Sequence, residues 1–154
     1  MAAFMTYFSM YAFRKPFTAS NYNGMPDFSY GIDFKTALIL AQVLGYALSK
    51  FIGIKVISEM NAGSRALAIL ILVMTAELAL ILFALVPTQW KLLTLFLNGL
   101  PLGMIWGLVF SFLEGRRVSE ILGAGLSISF IVSSGVVKSV GQWLMLSHGI
   151  SEFW

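Results

Sequence analysis

The sequence predicts an all-α fold, a polytopic transmembrane helical bundle, and three observations lead there. Charged residues are only 11 % of the 154-residue chain while hydrophobic types reach 58 %, with a mean hydropathy of +0.86. Soluble domains carry about 25 % charge, so this chain lacks the polar residues to coat a water-facing core, and lipid is the solvent that removes the need. The apolar residues also fall into five long runs with none of the strict alternation that barrel strands show over about ten residues. Finally, short polar connections of turn-forming residues separate the runs.

The spans follow from length, because about 30 Å of hydrocarbon is crossed at about 1.5 Å per residue. Residues 2–18 form the first run, which is short for a span. It is apolar from its start, and Arg14-Lys15-Pro16 stands where a signal peptide needs small residues, so it reads as a truncated first span. The expected further spans are 36–57, 66–86 (closed by Pro87), 92–113 and 121–146. The chain stops abruptly at Phe153-Trp154, and both ends are expected to be cuts. The connection 20–34 is rich in Asn, Gly, Pro, Tyr and Asp, whereas 58–65, 87–91 and 114–120 are compact and force neighbouring helices to run antiparallel. The 2–3 and 4–5 connections hold Lys55, Arg65, Arg116 and Arg117, and the opposite side holds Lys35 and Lys91 with Asp27 and Asp33. The positive-inside bias places the former side in the cytoplasm.

Several function classes fall away. The net charge of +3 comes without a basic run, so no nucleic-acid partner is expected, and the absence of cysteine removes disulfides and thiolate chemistry. No phosphate-binding glycine loop, zinc-protease signature or nucleophile elbow is present. The expectation is a protein that is not an enzyme, with no cofactor and no metal. The lone His148 lies past the fifth span and reads as a loop residue.

What remains is a set of ionisable groups inside the spans. Lys50, Glu77 and Lys138 lie within them and Arg14 near the end of the first. A charge at a span centre costs roughly 2.5–3.5 kcal/mol and normally faces a bundle interior or a watery cavity. Lys50 and Lys138 read either as cavity residues or as interhelical partners that snorkel, and Glu77 either tunes the cavity's charge or neutralises a lysine. Tyr7, Tyr11 and Arg14 share one helical face at i, i+4 and i+7, and Tyr46 and Lys50 are one turn apart. Each grouping sets a phenol beside a fixed cation, which suits an anionic oxygen; the tyrosines read equally as amphipathic packing. Gly99, Gly103 and Gly107 form a stripe for close helix approach on the fourth span, and Gly123, Gly125, Gly135 and Gly141 suggest similar contacts on the fifth.

These residues together resemble the amino-terminal half of a major facilitator superfamily transporter, and more narrowly the organophosphate:phosphate antiporters. Tyr11-Ala-Phe-Arg14-Lys15-Pro-Phe17 is similar to their Tyr-x-x-Arg-Lys-x-Phe. Tyr46-Ala-Leu-Ser49-Lys50-Phe51 is similar to their Tyr-Gly-x-Ser-Lys-Phe. Phe96-Leu97-Asn98-Gly99 followed by Gly103-Met104-Ile105-Trp106 is similar to their fourth-helix pattern, and the Glu114-Gly-Arg116-Arg117 turn falls where they have a charged turn. The 2–3 connection departs from the superfamily's Gly-x-x-x-Asp-Arg-x-Gly-Arg: it keeps Gly53, places Glu59 near the aspartate's position and loses most of the arginines.

The resemblance implies a partial transporter domain over 1–154, about five helices of a six-helix half. It implies secondary transport of a small organic anion, phosphorylated ones included, by alternating access. Arg14 and Lys50 would bind the anion, and Tyr7, Tyr11, Tyr46 and Lys15 would assist. The antiporters' helix-five histidine is absent and Lys138 is not their residue, so Lys138 and Glu77 are expected from their place in the spans alone to tune charge or carry protons. The implied partners are a small anionic substrate, the lipid bilayer and the missing carboxy-terminal half of the chain, and the implied location is the bacterial inner membrane. The eroded 2–3 loop keeps an alternative open, a non-transporting membrane sensor or scaffold of the same fold.

Overall fold

A computed structural model describes residues 2–25, 31–112 and 119–153. Among the described residues five α-helices follow one another: α1 Ala2–Ala12, α2 Phe34–Ser58, α3 Arg65–Leu85, α4 Lys91–Ser111 and α5 Ser119–His148. Among the described residues there is no strand, and the all-α fold is as the sequence implies. Four helices, all but α1, are long and apolar enough to cross a membrane. Large apolar side chains such as Leu44, Phe51, Leu70, Met74 and Ile131 are exposed along them, which is the surface of an integral membrane protein.

The first element differs from expectation. The sequence reading carried one helix through residue 18, yet α1 stops at Ala12 and a 3₁₀ turn, Pro16–Ala19, follows. Pro16 lacks an N–H and its ring crowds the carbonyl four residues back, and that residue is Ala12. The other boundaries move by one or two residues. The Asp33 carboxylate accepts the Thr36 N–H at 3.1 Å and so caps α2 two residues earlier than expected. Val86, extended ahead of Pro87, ends α3. The charged turn of Glu114, Arg116 and Arg117, and Asp27 in the first connection, lie outside the described residues.

The packing is centred on α4, which touches α1, α2 and α3, while α5 packs on α1 and the 3₁₀ turn. The α2–α4 seam is the closest. A side chain at Gly45 would strike the Phe96 carbonyl, one at Gly99 the Gln42 carbonyl, and one at Gly103 the Ser49 hydroxyl and the Tyr46 carbonyl. The glycine stripe on α4 therefore does what its spacing suggests. The glycines of α5 do not follow suit: nothing lies within 4 Å of a side chain placed at Gly125 or Gly135, and only Gly141 meets the first turn closely, 3.1 Å from Ala19 Cβ. On α5 the tight positions are held instead by buried Ser129 and Ser133, whose hydroxyls bond carbonyls of their own helix.

Candidate anion site

The site begins at the break after α1. Tyr7 and Tyr11, one turn apart on α1, are buried, and their rings pack on Phe130 of α5 at centroid distances of 4.5 and 6.2 Å. Arg14 leaves the helix just beyond them. Its guanidinium carbon lies 5.6 Å from the Tyr11 ring and 4.3 Å from the Tyr46 ring of α2. Lys50, a turn further along α2, places Nζ 4.8 Å from the same Tyr46 ring and 5.9 Å from Trp106 of α4. Trp106 reaches this point because Gly103, one turn earlier, lets α4 lie against the Tyr46–Ser49 backbone. The Tyr7 hydroxyl lies beside that of Tyr46.

The fold thus brings together Tyr7, Tyr11, Arg14, Tyr46 and Lys50 from two segments far apart in sequence. Cations over aromatic faces are held without a neutralising charge. Neither Arg14 nor Lys50 makes an ion pair or side-chain hydrogen bond with a described residue. Arg14 is half-buried and Lys50 exposed, so their donors remain open to an incoming group. Lys15 is also half-buried, with Arg14 and Lys138 within electrostatic range. Lys138 is exposed on α5. It shares this positive neighbourhood through Lys15 and makes no ring contact of its own.

Glu77 is not brought to the cluster. It is half-buried on α3, pairs with no described lysine, and lines a separate cavity of about 460 Å³ between α3 and α5 with Phe17, Phe83, Met145, Glu152 and Phe153. That placement gives Glu77 no lysine to neutralise among the described residues.

Sequence reasoning missed two amides and one cation. Gln42 and Asn98 are buried at the centre of the bundle, and the Gln42 amide donates to Asn98 Oδ1 at 2.7 Å and to the Arg14 carbonyl at 3.1 Å. Asn98 donates to the Phe13 carbonyl at 3.2 Å and to the Ala76 carbonyl at 2.9 Å. Amides inside apolar spans were the available signal, since polar side chains there join helices. Lys91, counted as a loop residue, is only 4 % exposed. Its ammonium donates to the Phe83 carbonyl at 2.5 Å and sits 4.8 and 4.1 Å from the Phe83 and Phe153 rings. At the other end of the same helix pair, Arg65 donates to the Ser111 carbonyl at 3.3 Å. Each cation meets carbonyls at its neighbour's negative end, where a helix leaves its last carbonyls without partners.

Among the described residues no group of His, Cys, Asp and Glu could hold a metal ion. In comparison with known proteins, a family described as of unknown function, DUF5690, matches residues 16–154. No curated protein and no solved structure matches the chain.

Proposed function

The chain belongs to the DUF5690 family, and from that premise we propose that it is a membrane secondary transporter of a small organic anion, phosphorylated anions included. One observation carries the reading. Two cations from separate segments, Arg14 and Lys50, converge on the Tyr46 ring, and no carboxylate among the described residues pairs with either. An arginine fork and a lysine point charge beside phenol hydroxyls recognise an anionic oxygen. Lys15 and Lys138 add positive potential that draws the anion in.

On this reading the helices are part of an amino-terminal transporter half similar to those of the major facilitator superfamily. The facing half of the same chain would complete a site near the bilayer midplane and rock against it. The bacterial inner membrane is part of the proposal, and no catalytic step is. The test is uptake by the protein with its full natural chain, reconstituted in liposomes and offered inorganic phosphate, a hexose phosphate and a dicarboxylate. Arg14→Ala and Lys50→Ala each lower uptake about tenfold or more, the effect of removing a charge-assisted contact. Unchanged uptake in both variants removes the site.

The segment from Gly53 to Arg65, which spans the end of α2 and the 2–3 connection, favours a second reading, a sensor or scaffold. Its arginines are few, and Arg65 holds Ser111 at the end of α4. Anion binding that depends on Arg14 without flux through the membrane would select it.

A further inference from the structure

We propose that Gln42 and Asn98 are positioning residues of the anion site, holding open the helix break that presents Arg14; the proposal rests on the reading of Arg14 as an anion ligand. The break creates the need. Pro16 ends the α-helical ladder at Ala12, and the backbone N–H groups of Arg14 and Lys15 both turn back to the Tyr11 carbonyl. The Phe13 and Arg14 carbonyls then lie beyond the ladder, inside the bundle, where an unpaired carbonyl is costly.

The two amides meet that need completely. Asn98 takes the Phe13 carbonyl and Gln42 the Arg14 carbonyl, and the second donor of each amide is also used, on Ala76 and on Asn98 itself. Every N–H of both amides has a partner. Asn98 is fully buried and Gln42 5 % exposed, so water does not substitute for them. Gly99 lies beside the Gln42 carbonyl, and that close approach of α4 to α2 sets the two amides at bonding distance. The knot thus ties α2, α3 and α4 to the backbone of the residue that carries the guanidinium. The Tyr46 ring, one turn from Gln42 on α2, then receives that guanidinium. A continuous helix through Arg14 needs neither amide.

The consequence is testable through the arginine itself. Phenylglyoxal modifies accessible arginines, and Arg65, at the far end of α3, serves as an internal reference in the same sample. In the full natural chain in detergent, Gln42→Leu and Asn98→Leu change the Arg14 modification rate about tenfold relative to Arg65, the scale of one lost buried hydrogen bond. In liposomes the leucine variants raise KM more than they lower kcat for whichever anion the unaltered protein carries. An unchanged ratio of Arg14 to Arg65 modification overturns the proposal. So does an equal change at both arginines, which is the signature of a merely destabilised bundle. Uptake by Arg14→Ala judges the anion reading separately: transport that survives that substitution removes the ligand role, while an altered modification ratio still shows that the amides place the residue.

Discussion

The bundle contains two aromatic clusters, and each holds positive charge in a different way. Around Lys91 the cluster is closed. Phe17, Tyr22, Phe34, Leu38, Phe83 and Leu95 are buried together with Phe153 packed against them, and the ammonium meets a carbonyl and two phenyl faces. Around Arg14 and Lys50 the cluster is open. Its buried part, including Tyr7, Tyr11 and Leu102, is flanked by half-buried Tyr46, Trp106 and Phe130, and the cations lie on its rim. The difference teaches that a cation in a membrane span is not by itself a site. A lysine whose donors already meet a carbonyl and whose charge is sandwiched by rings is a structural fastener. A cation held only by its stem and a ring face is free to meet a ligand.

The largest expected effect breaks the closed cluster. Lys91→Ala removes the ammonium from the Phe83 carbonyl and leaves a void among rings, at a cost of about 3 kcal/mol. The melting temperature of the purified protein in detergent falls by several degrees. Lys91→Met restores most of the volume but not the donor, and recovers about half. A melting temperature unchanged in Lys91→Ala would dissolve the contrast between the two clusters.

The next effect removes one wall. Phe153 packs on Tyr22 and Phe83 at centroid distances of 5.5 and 6.0 Å and covers the Lys91 ammonium. Phe153→Ala lowers stability by about 1–2 kcal/mol, a lost cation–π contact plus partial burial. Phe153→Leu, which keeps apolar volume and loses the ring face, separates the two contributions in the same melting assay.

Smaller again is a pH effect at the edge of this cluster. The Tyr22 hydroxyl donates to the Phe17 carbonyl at 3.0 Å, and burial raises its pKa above the ordinary 10.0. A raised folded value means that the neutral phenol is favoured in the native state. Its contribution is therefore complete below pH 10 and declines as pH rises beyond it, because the unfolded chain ionises first. Tyr22→Phe costs about 1 kcal/mol at neutral pH and makes the fall in melting temperature above pH 10 shallower. Parallel curves for the two proteins would deny Tyr22 that role.

Much of this fold is written in hydrophobic run lengths. Helices α2 to α5 start and stop within two residues of expectation, and two of those ends carry a local cause, the Asp33 cap at the start of α2 and Pro87 after α3. The first span departs from its run length for a local reason, since Pro16 forbids the helix that apolarity alone would extend. The convergence of Arg14 and Lys50 was legible as two tyrosine–cation pairs, but their meeting on one ring was not. That meeting depends on how the turn after α1 lies against α2, a tertiary fact that spacing along one helix does not hold. Lys91 was placed in water by its position at a helix start, and its burial comes from Phe153, more than sixty residues away. Gln42 and Asn98 carry no charge to mark them in the sequence, yet neutral amides have the same obligation to find partners inside a membrane.

The smallest expected stability effect bears most directly on function. Lys50 is exposed, lies over the Tyr46 and Trp106 rings, and makes no hydrogen bond or ion pair with a described residue. Lys50→Ala therefore shifts stability by no more than about 0.5 kcal/mol, the range of surface substitutions. Its melting temperature stays with that of the unaltered protein while uptake falls. Lys91→Ala shows the reverse ordering, a large loss of stability with transport per folded molecule retained. Measuring both quantities on both variants makes a cross, and the crossing itself is the evidence. If Lys50→Ala melts as early as Lys91→Ala, then Lys50 is a fastener too, and the open cluster loses its claim to be a site.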